Sequence, residues 1–404
     1  ADRVTVESVL AGAPASAGPE LLDLLAQQGF LVSGDLDEFG QVVSWNNLGI
    51  HDPNRLDVFV LPNMNCNFAC PYCYEDHRPS QMSDEVAERI LRWFEVAAPR
   101  TKLVLLSWFG GEPLLSFDRL VGMQREVKAI CERVGTGFNS HITTNGYLLT
   151  PARAQVLLDA GLRSYQITVD GPPDVHNDSR VLRGPGNSFE RVFGNLCALA
   201  ELEPKANIKL RVNFTPTTLA RVPELLELVP SHLRGSMHLV LERIFGDEGL
   251  YIGMSPARLA RATERCYDLA RSMGFAVTIT PLAPGKLTYC YADRDNQILF
   301  NHVGDVFKCT VSEFKPEDRL GFLTDDGGIT WEGSRRQDWE QVEAFDDKCH
   351  TCSFAPMCMG GCRKVRHAKG SVGDDCTLPF AALPERMQSR YRSMLGPVPV
   401  PVTL

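Results

Sequence analysis

Runs rich in Val, Ile, Leu and Phe recur through the middle of the chain, at 57–61, 102–109, 138–144, 164–169, 208–215 and 236–245. Each is bounded by turn residues, the pattern of strands buried on both faces. Between them lie amphipathic stretches with helical periodicity, at about 83–97, 117–133, 151 onward, 188–202, 219–228 and 256–273. Ser83 is a candidate cap, with Asp84 and Glu85 complementing the first turn, and Pro151 suits a helix start. Six βα units in series, joined by right-handed crossovers, predict an α/β chain built on a partial (β/α)6 TIM-like barrel. After about residue 282 the runs shorten, Asp-Gly turns appear and cysteines crowd in. That shift predicts a small cysteine-rich domain held together more by metal than by core. The expected boundaries are a preface at 1–55 with one short helix near 20–28, the barrel at 56–282, the cysteine-rich domain at 283–380, and a C-terminal helix with a Pro-rich tail at 381–404.

Composition narrows the function classes. A chain of 404 residues, 44% hydrophobic and 23% charged, has the makeup of a folded protein large enough for two domains. A net charge of −9 argues against nucleic acid and anionic membrane surfaces, which recruit basic patches. No apolar run reaches membrane-spanning length. The first residues, Ala1, Asp2, Arg3 and Val4, carry no basic segment followed by an apolar one, so no signal peptide is expected and a cytoplasmic location is the default; the natural start can lie upstream, since residue 1 is not Met. Thirteen cysteines in such a chain point to metal or redox chemistry before disulfides.

The first group, Cys66, Cys70 and Cys73, has the spacing C-x3-C-x2-C directly after the first predicted strand. Three thiolates hold three irons of a cubane and leave the fourth open for chemistry. A zinc site completed by His77 is the competing reading of the spacing. Further motifs end the next three strands: Gly110-Gly111-Glu112-Pro113, Thr143-Thr144-Asn145-Gly146 and Thr168-Val169-Asp170-Gly171. Strand ends are where barrels build active sites. This set, with Tyr72 before the third cysteine and Arg180 in His176-Asn-Asp-Ser-Arg180, resembles the radical S-adenosylmethionine family. The resemblance implies a [4Fe-4S] cluster on Cys66, Cys70 and Cys73 whose free iron chelates S-adenosyl-L-methionine. Reductive cleavage then yields methionine and a 5′-deoxyadenosyl radical that abstracts hydrogen from substrate. It further implies cofactor contacts by Tyr72, Gly110, Gly111, Glu112, Asn145, Thr168 and Arg180.

The second group runs Cys290-x13-Gly304-x4-Cys309, then Cys349-x2-Cys352-x5-Cys358-x3-Cys362, then Cys376. A zinc ribbon fits the Cys349-x2-Cys352 pair taken alone. The seven together resemble the SPASM domain, and the combined resemblance spans roughly 58–376. It implies two auxiliary [4Fe-4S] clusters, three in all: one on Cys349, Cys352, Cys358 and Cys376, the other on Cys290, Cys309 and Cys362. No eighth cysteine follows Cys290, so the fourth ligand of the latter is open between Asp293, Asp295, solvent and substrate. Cys131, Cys197 and Cys266 lie in predicted helices beside apolar neighbours and read as buried small hydrophobes. Trp331 and Trp339 read as cover for a thin core, and His51, His232, His238 and His302 carry no partner pattern.

The resemblance implies a peptide or protein substrate and an external electron donor of the flavodoxin or ferredoxin type. It favours an oxidative cross-link, thioether or carbon–carbon, in a ribosomally made peptide. Formylglycine formation in a sulfatase is the alternative enzyme reading, and a non-catalytic iron–sulfur electron-transfer protein the alternative of another class. Glu242 and Arg243, near the end of the sixth strand, are candidate pocket residues.

Overall fold

The computed structural model describes residues 18–27, 31–244, 255–277 and 287–370, together with Leu383 and Met387. Cys376 and, apart from Leu383 and Met387, the expected C-terminal helix and tail lie outside this set. The chain divides into two compact units, Ala1–Trp45 and Asn46–Leu404.

The first unit carries α1 (Pro19–Gln27), the expected short helix, and the start of a second, α2 (Glu38–Ile50). That second helix was not expected, because two glycines, three β-branched residues and two asparagines give Glu38–Ile50 weak intrinsic helicity. The Asp37 carboxylate accepts from the Gly40 amide at 2.8 Å and so caps its first turn.

All six expected strands form: β1 (Arg55–Val60), β2 (Leu103–Trp108), β3 (Gly137–Thr144), β4 (Ser164–Thr168), β5 (Asn207–Phe214) and β6 (Met237–Arg243). Successive pairs are parallel. The crossovers contain α3 (Asp84–Ala97), α4 (Phe117–Val134), α5 (Pro151–Asp159), α6 (Pro173–Ser179), α7 (Phe189–Leu202) and α8 (Val222–Leu228). Ser83 caps α3 by accepting from the Val86 amide, as its position suggested. After α9 (Pro256–Ser272) comes a further parallel strand of two residues, β7 (Ala276–Val277).

The sheet does not end at β1. The short strand β8 (Gln297–Phe300) pairs in parallel with β1, and β9 (Asp305–Phe307), β10 (Gly321–Leu323) and β11 (Ile329–Trp331) continue antiparallel. The result is one open eleven-stranded sheet. The start of the cysteine-rich segment therefore grows from the barrel's own edge.

Most of the strands were expected to be buried on both faces; β1 buries three consecutive residues, but four others do not follow. Burial alternates along β2, β3, β5 and β6. The face under the helices holds the core, with Leu106, Trp108, Ile142, Ile167, Leu210 and Leu239 essentially inaccessible. The opposite face is half-exposed and mixed: Ser107, Thr143, Gln166, Lys209, Arg211 and Glu242 stand beside the apolar Phe59, Leu105 and Val240. An incomplete barrel leaves its inner face open to water, so those positions need not be apolar. Trp108 on the buried side donates its indole N–H to Gln124, at 2.9 Å.

Candidate active site

The loop leaving β1 carries the first three cysteines, and it is fastened at both ends. Its backbone pairs with the segment after α6: the Ala69 amide donates to the Val181 carbonyl at 2.7 Å and the Arg183 amide to the Asn67 carbonyl at 2.9 Å. Gly110 and Gly111, at the end of β2, lie directly beneath it. A Cβ on either would stand 2.3 Å from a carbonyl oxygen, that of Asn63 or of Asn65, and Gly110 has φ +110°. These glycines make room for the chain's own loop, the one preceding Cys66, in addition to any ligand.

Glu112 is fully buried and ties two strand ends together. Its carboxylate accepts from the Leu114 amide at 2.9 Å, the Thr144 hydroxyl at 2.8 Å and the Asn145 amide at 2.8 Å. Burial raises its pKa, against the pull of those donors. Asn145 in turn donates to the Asn67 side chain at 2.8 Å, beside the Cys66 thiol at 3.9 Å. Glu112→Ala leaves three buried donors without an acceptor and is expected to cost about 3 kcal/mol or more in denaturant unfolding of the apo chain. Glu112→Gln, which keeps acceptor capacity, should lose less.

A second carboxylate holds the other end of the loop. Asp170, 1% exposed at the end of β4, accepts from the Tyr72 hydroxyl, from Ser179 at 3.1 Å and from the Asn213 amide at 2.9 Å. Arg180 donates to the Tyr72 oxygen at 2.7 Å and Asn213 Nδ2 to the same oxygen at 3.2 Å. The Arg180 guanidinium also stands 5.3 Å from the centre of the Phe68 ring, and its Nε is buried without a hydrogen-bond partner. Thr168, the last residue of β4, is buried two positions before Asp170. Asp170 appeared in the sequence only as part of a strand-end motif, and Asn213 was missed. Its one signal was its place in the polar alternation Asn207, Lys209, Arg211, Asn213 along that strand.

All twelve described cysteines are free thiols. Burial raises the pKa of all three thiols, pushing Cys66 up to about 12, and Cys70 lies close enough to raise Cys66 and Cys73 further. Among the described residues no three His, Cys, Asp or Glu side chains are already closed around an ion position. What the structure supplies is the donor set: three free thiols on one braced loop, soft ligands of the kind iron–sulfur clusters use. His77 Nε2 stands 3.3 Å from the Cys73 sulfur, and its Nδ1 is 3.3 Å from the Met64 carbonyl.

The second group also gathers. The Cys290 thiol is pushed up by burial and then by Cys309 and Cys362, that of Cys309 by burial and then by Cys362, and that of Cys349 by burial with a smaller contribution from Cys358. Cys352 is half-buried one turn after Cys349. Asp293 and Asp295, the carboxylate candidates for a fourth ligand, have other partners: Asp293 accepts from the Cys290 amide at 3.0 Å and faces two arginines, and Asp295 meets His51 at 2.6 Å. Trp339 is buried and donates to the Ala292 carbonyl at 3.1 Å. Cys131 and Cys266 are buried in helices against the core, and Cys197 is packed at its edge. Strand register sets Glu242 beside Asn213 on the half-exposed face and Arg243 beside Phe214 on the helix-covered one.

Residues 60–229 match the family model of the Radical SAM superfamily. The chain is 25% identical over 349 residues to an AdoMet-dependent heme synthase of Methanosarcina barkeri, an alignment covering 76% of this chain and 90% of that protein. Among solved structures, anSMEcpe with bound AdoMet superposes with a TM-score of 0.64 at 17% identity, covering 83% of this chain and 99% of that one. SuiB of Streptococcus suis bound to the precursor peptide SuiA superposes with a TM-score of 0.57 at 15% identity, covering 89% and 88%. The two structures share the fold.

Proposed function

Because residues 60–229 form a radical SAM domain, we propose that Cys66, Cys70 and Cys73 hold the catalytic [4Fe-4S] cluster of an enzyme that modifies a peptide. The observation that carries this reading is the bracing of the three-thiol loop by Glu112 through Asn145 and by Asp170 through Tyr72, at the ends of successive parallel strands. Bound there, the cluster and S-adenosyl-L-methionine supply one-electron reduction and removal of hydrogen from an unactivated carbon. The residues of the chain hold and orient. Asp170, Asn213 and Arg180 fix the Tyr72 ring between Cys70 and Cys73. Arg180 keeps one buried N–H free for an anionic group such as a carboxylate. Gly110 and Gly111 keep the backbone low where the loop crosses, and Thr168 closes the floor beside Asp170.

The half-exposed inner face, with Gln166, Lys209, Arg211 and Glu242, suits a polar substrate able to pair with both signs of charge. A peptide has that chemistry. Two proteins of the same fold have been solved with peptides, anSMEcpe with Cp18Cys and SuiB with SuiA. The finer reading is an oxidative cross-link, thioether or carbon–carbon, with the Cys290, Cys309, Cys362 set and the Cys349, Cys352, Cys358, Cys376 set holding two auxiliary clusters that accept the electron released from substrate. A donor of the flavodoxin or ferredoxin type delivers the reducing electron. Among the described residues no helix is long and apolar enough to cross a membrane.

A second reading is modification of a tetrapyrrole, favoured by the likeness to the heme synthase over most of both chains. The deciding experiment is anaerobic incubation with S-adenosyl-L-methionine and dithionite, with a cysteine-containing peptide library or an iron porphyrin as substrate, read by mass spectrometry. Loss of two mass units from a peptide supports the first reading; a change in the mass of the porphyrin supports the second. Anaerobically reconstituted protein is expected to carry about twelve irons and as many sulfides per chain. Stoichiometric zinc with negligible iron would sink the assignment.

A further inference from the structure

The cysteine-rich segment contains a buried charge cluster that the proposed chemistry has not used. Asp293, Arg363 and Arg366 are 2%, 2% and 3% exposed. Arg363 Nε lies 3.3 Å and Arg366 Nη2 3.4 Å from the same carboxylate oxygen of Asp293. Two guanidiniums thus share one carboxylate, and the trio carries one net positive charge inside the protein. Arginine does not lose its proton in proteins, so that charge is fixed. The remaining bonds leave it incompletely matched. Arg363 donates to the Trp339 carbonyl at 3.4 Å and Arg366 to the Glu343 carbonyl at 2.6 Å, while neither Nε makes a hydrogen bond, that of Arg363 meeting Asp293 as an ion pair only. A surplus buried cation is costly unless an anion stands near it.

The surrounding groups identify that anion. Arg363 opens the helix α10 (Arg363–Lys369) immediately after Cys362, and Asp293 accepts from the Cys290 amide. The main charges acting on Arg366 are Asp293, Arg363 and the thiols of Cys362 and Cys358. Cys362 belongs to one of the two auxiliary sets proposed above and Cys358 to the other. Arg363 adjoins Cys362 in the chain and Asp293 holds the Cys290 amide, so the charge cluster abuts the Cys290, Cys309, Cys362 set. A thiolate-bound iron–sulfur cluster is net anionic, and its potential responds to nearby charge.

We propose that the Asp293–Arg363–Arg366 cluster is an electrostatic positioning device, whose surplus positive charge favours the reduced form of the auxiliary cluster on Cys290, Cys309 and Cys362. This rests on the reading of those cysteines as cluster ligands. Coulomb's law sets the signs: removing the cation disfavours the added electron, and removing the carboxylate favours it.

The test is a redox titration of reconstituted full-length protein, with the auxiliary signals followed by electron paramagnetic resonance and iron counted in every sample. Arg366→Gln is expected to move the midpoint potential of the Cys290, Cys309, Cys362 cluster to a more negative value and Asp293→Asn to a more positive one, with iron per chain unchanged. Arg366→Lys, which keeps the charge, should restore the wild-type potential; a purely structural role would not give shifts of opposite sign. Unmoved potentials in Arg366→Gln and Asp293→Asn with full iron would overturn the proposal and leave the cluster reading intact. If Arg366→Gln loses auxiliary iron, Arg366→Lys decides: wild-type potentials support the role of the charge, shifted ones overturn it. Wild-type protein holding only about four irons per chain would instead overturn the auxiliary-cluster reading, and this proposal with it.

Discussion

Replacing Cys66, Cys70 and Cys73 together with alanine is expected to lower 5′-deoxyadenosine formation by at least about a thousandfold, since the three supply every protein ligand of the proposed catalytic cluster. The fold should survive the change. Cys73 is exposed and Cys70 half-exposed, and only Cys66 is buried. The loop is held by contacts the substitution leaves in place: the backbone pairing at Ala69 and Arg183, and the Tyr72 hydroxyl on Asp170. Iron should therefore fall by about four per chain while the auxiliary iron remains. The assay is chromatography of the nucleoside products beside an iron count. A triple variant that still makes 5′-deoxyadenosine at the wild-type rate would move the active site elsewhere.

The second large effect separates cofactor cleavage from substrate turnover. Cys349→Ala or Cys352→Ala should leave cleavage within about tenfold of wild type, because these residues stand outside the braced loop and distant sites contribute independently. Product formation should fall below detection, because the electron released from a substrate radical then has no acceptor. Neither thiol supports the packing core: both are half-exposed, and Cys349 bonds only locally, to Asp346 at 3.3 Å. Full turnover in either variant would remove the auxiliary set from the mechanism and leave it a structural metal site.

Both expectations depend on a division of labour that local pattern exposed only in part. The six strands and the helices between them were legible because their apolar runs and amphipathic stretches are long and clearly bounded, and local signals such as Ser83 before Asp84 and Glu85 act over a single turn. Cysteine spacing was legible for a similar reason: ligands three and four residues apart must share one loop. The helix Glu38–Ile50 was not, because its composition lacks the propensity that its capped first turn helps to offset.

What the sequence by itself determined is thus the order of the elements, the three-thiol loop after the first strand, and the motifs at the strand ends. Tertiary structure alone decided which face of the strands is open, and what the strand-end residues do for one another. Whether a strand is buried on one face or both depends on whether the barrel closes, and the pattern of apolar residues along one strand does not encode its neighbours' curvature. Glu112 reaches Asn145 across 33 positions, Asp170 reaches Tyr72 across 98, and Arg366 reaches Asp293 across 73. A buried charge acquires its meaning from partners that only folding brings within a few ångströms, so no local reading of Asp170 or Asp293 could have assigned them the loops they hold.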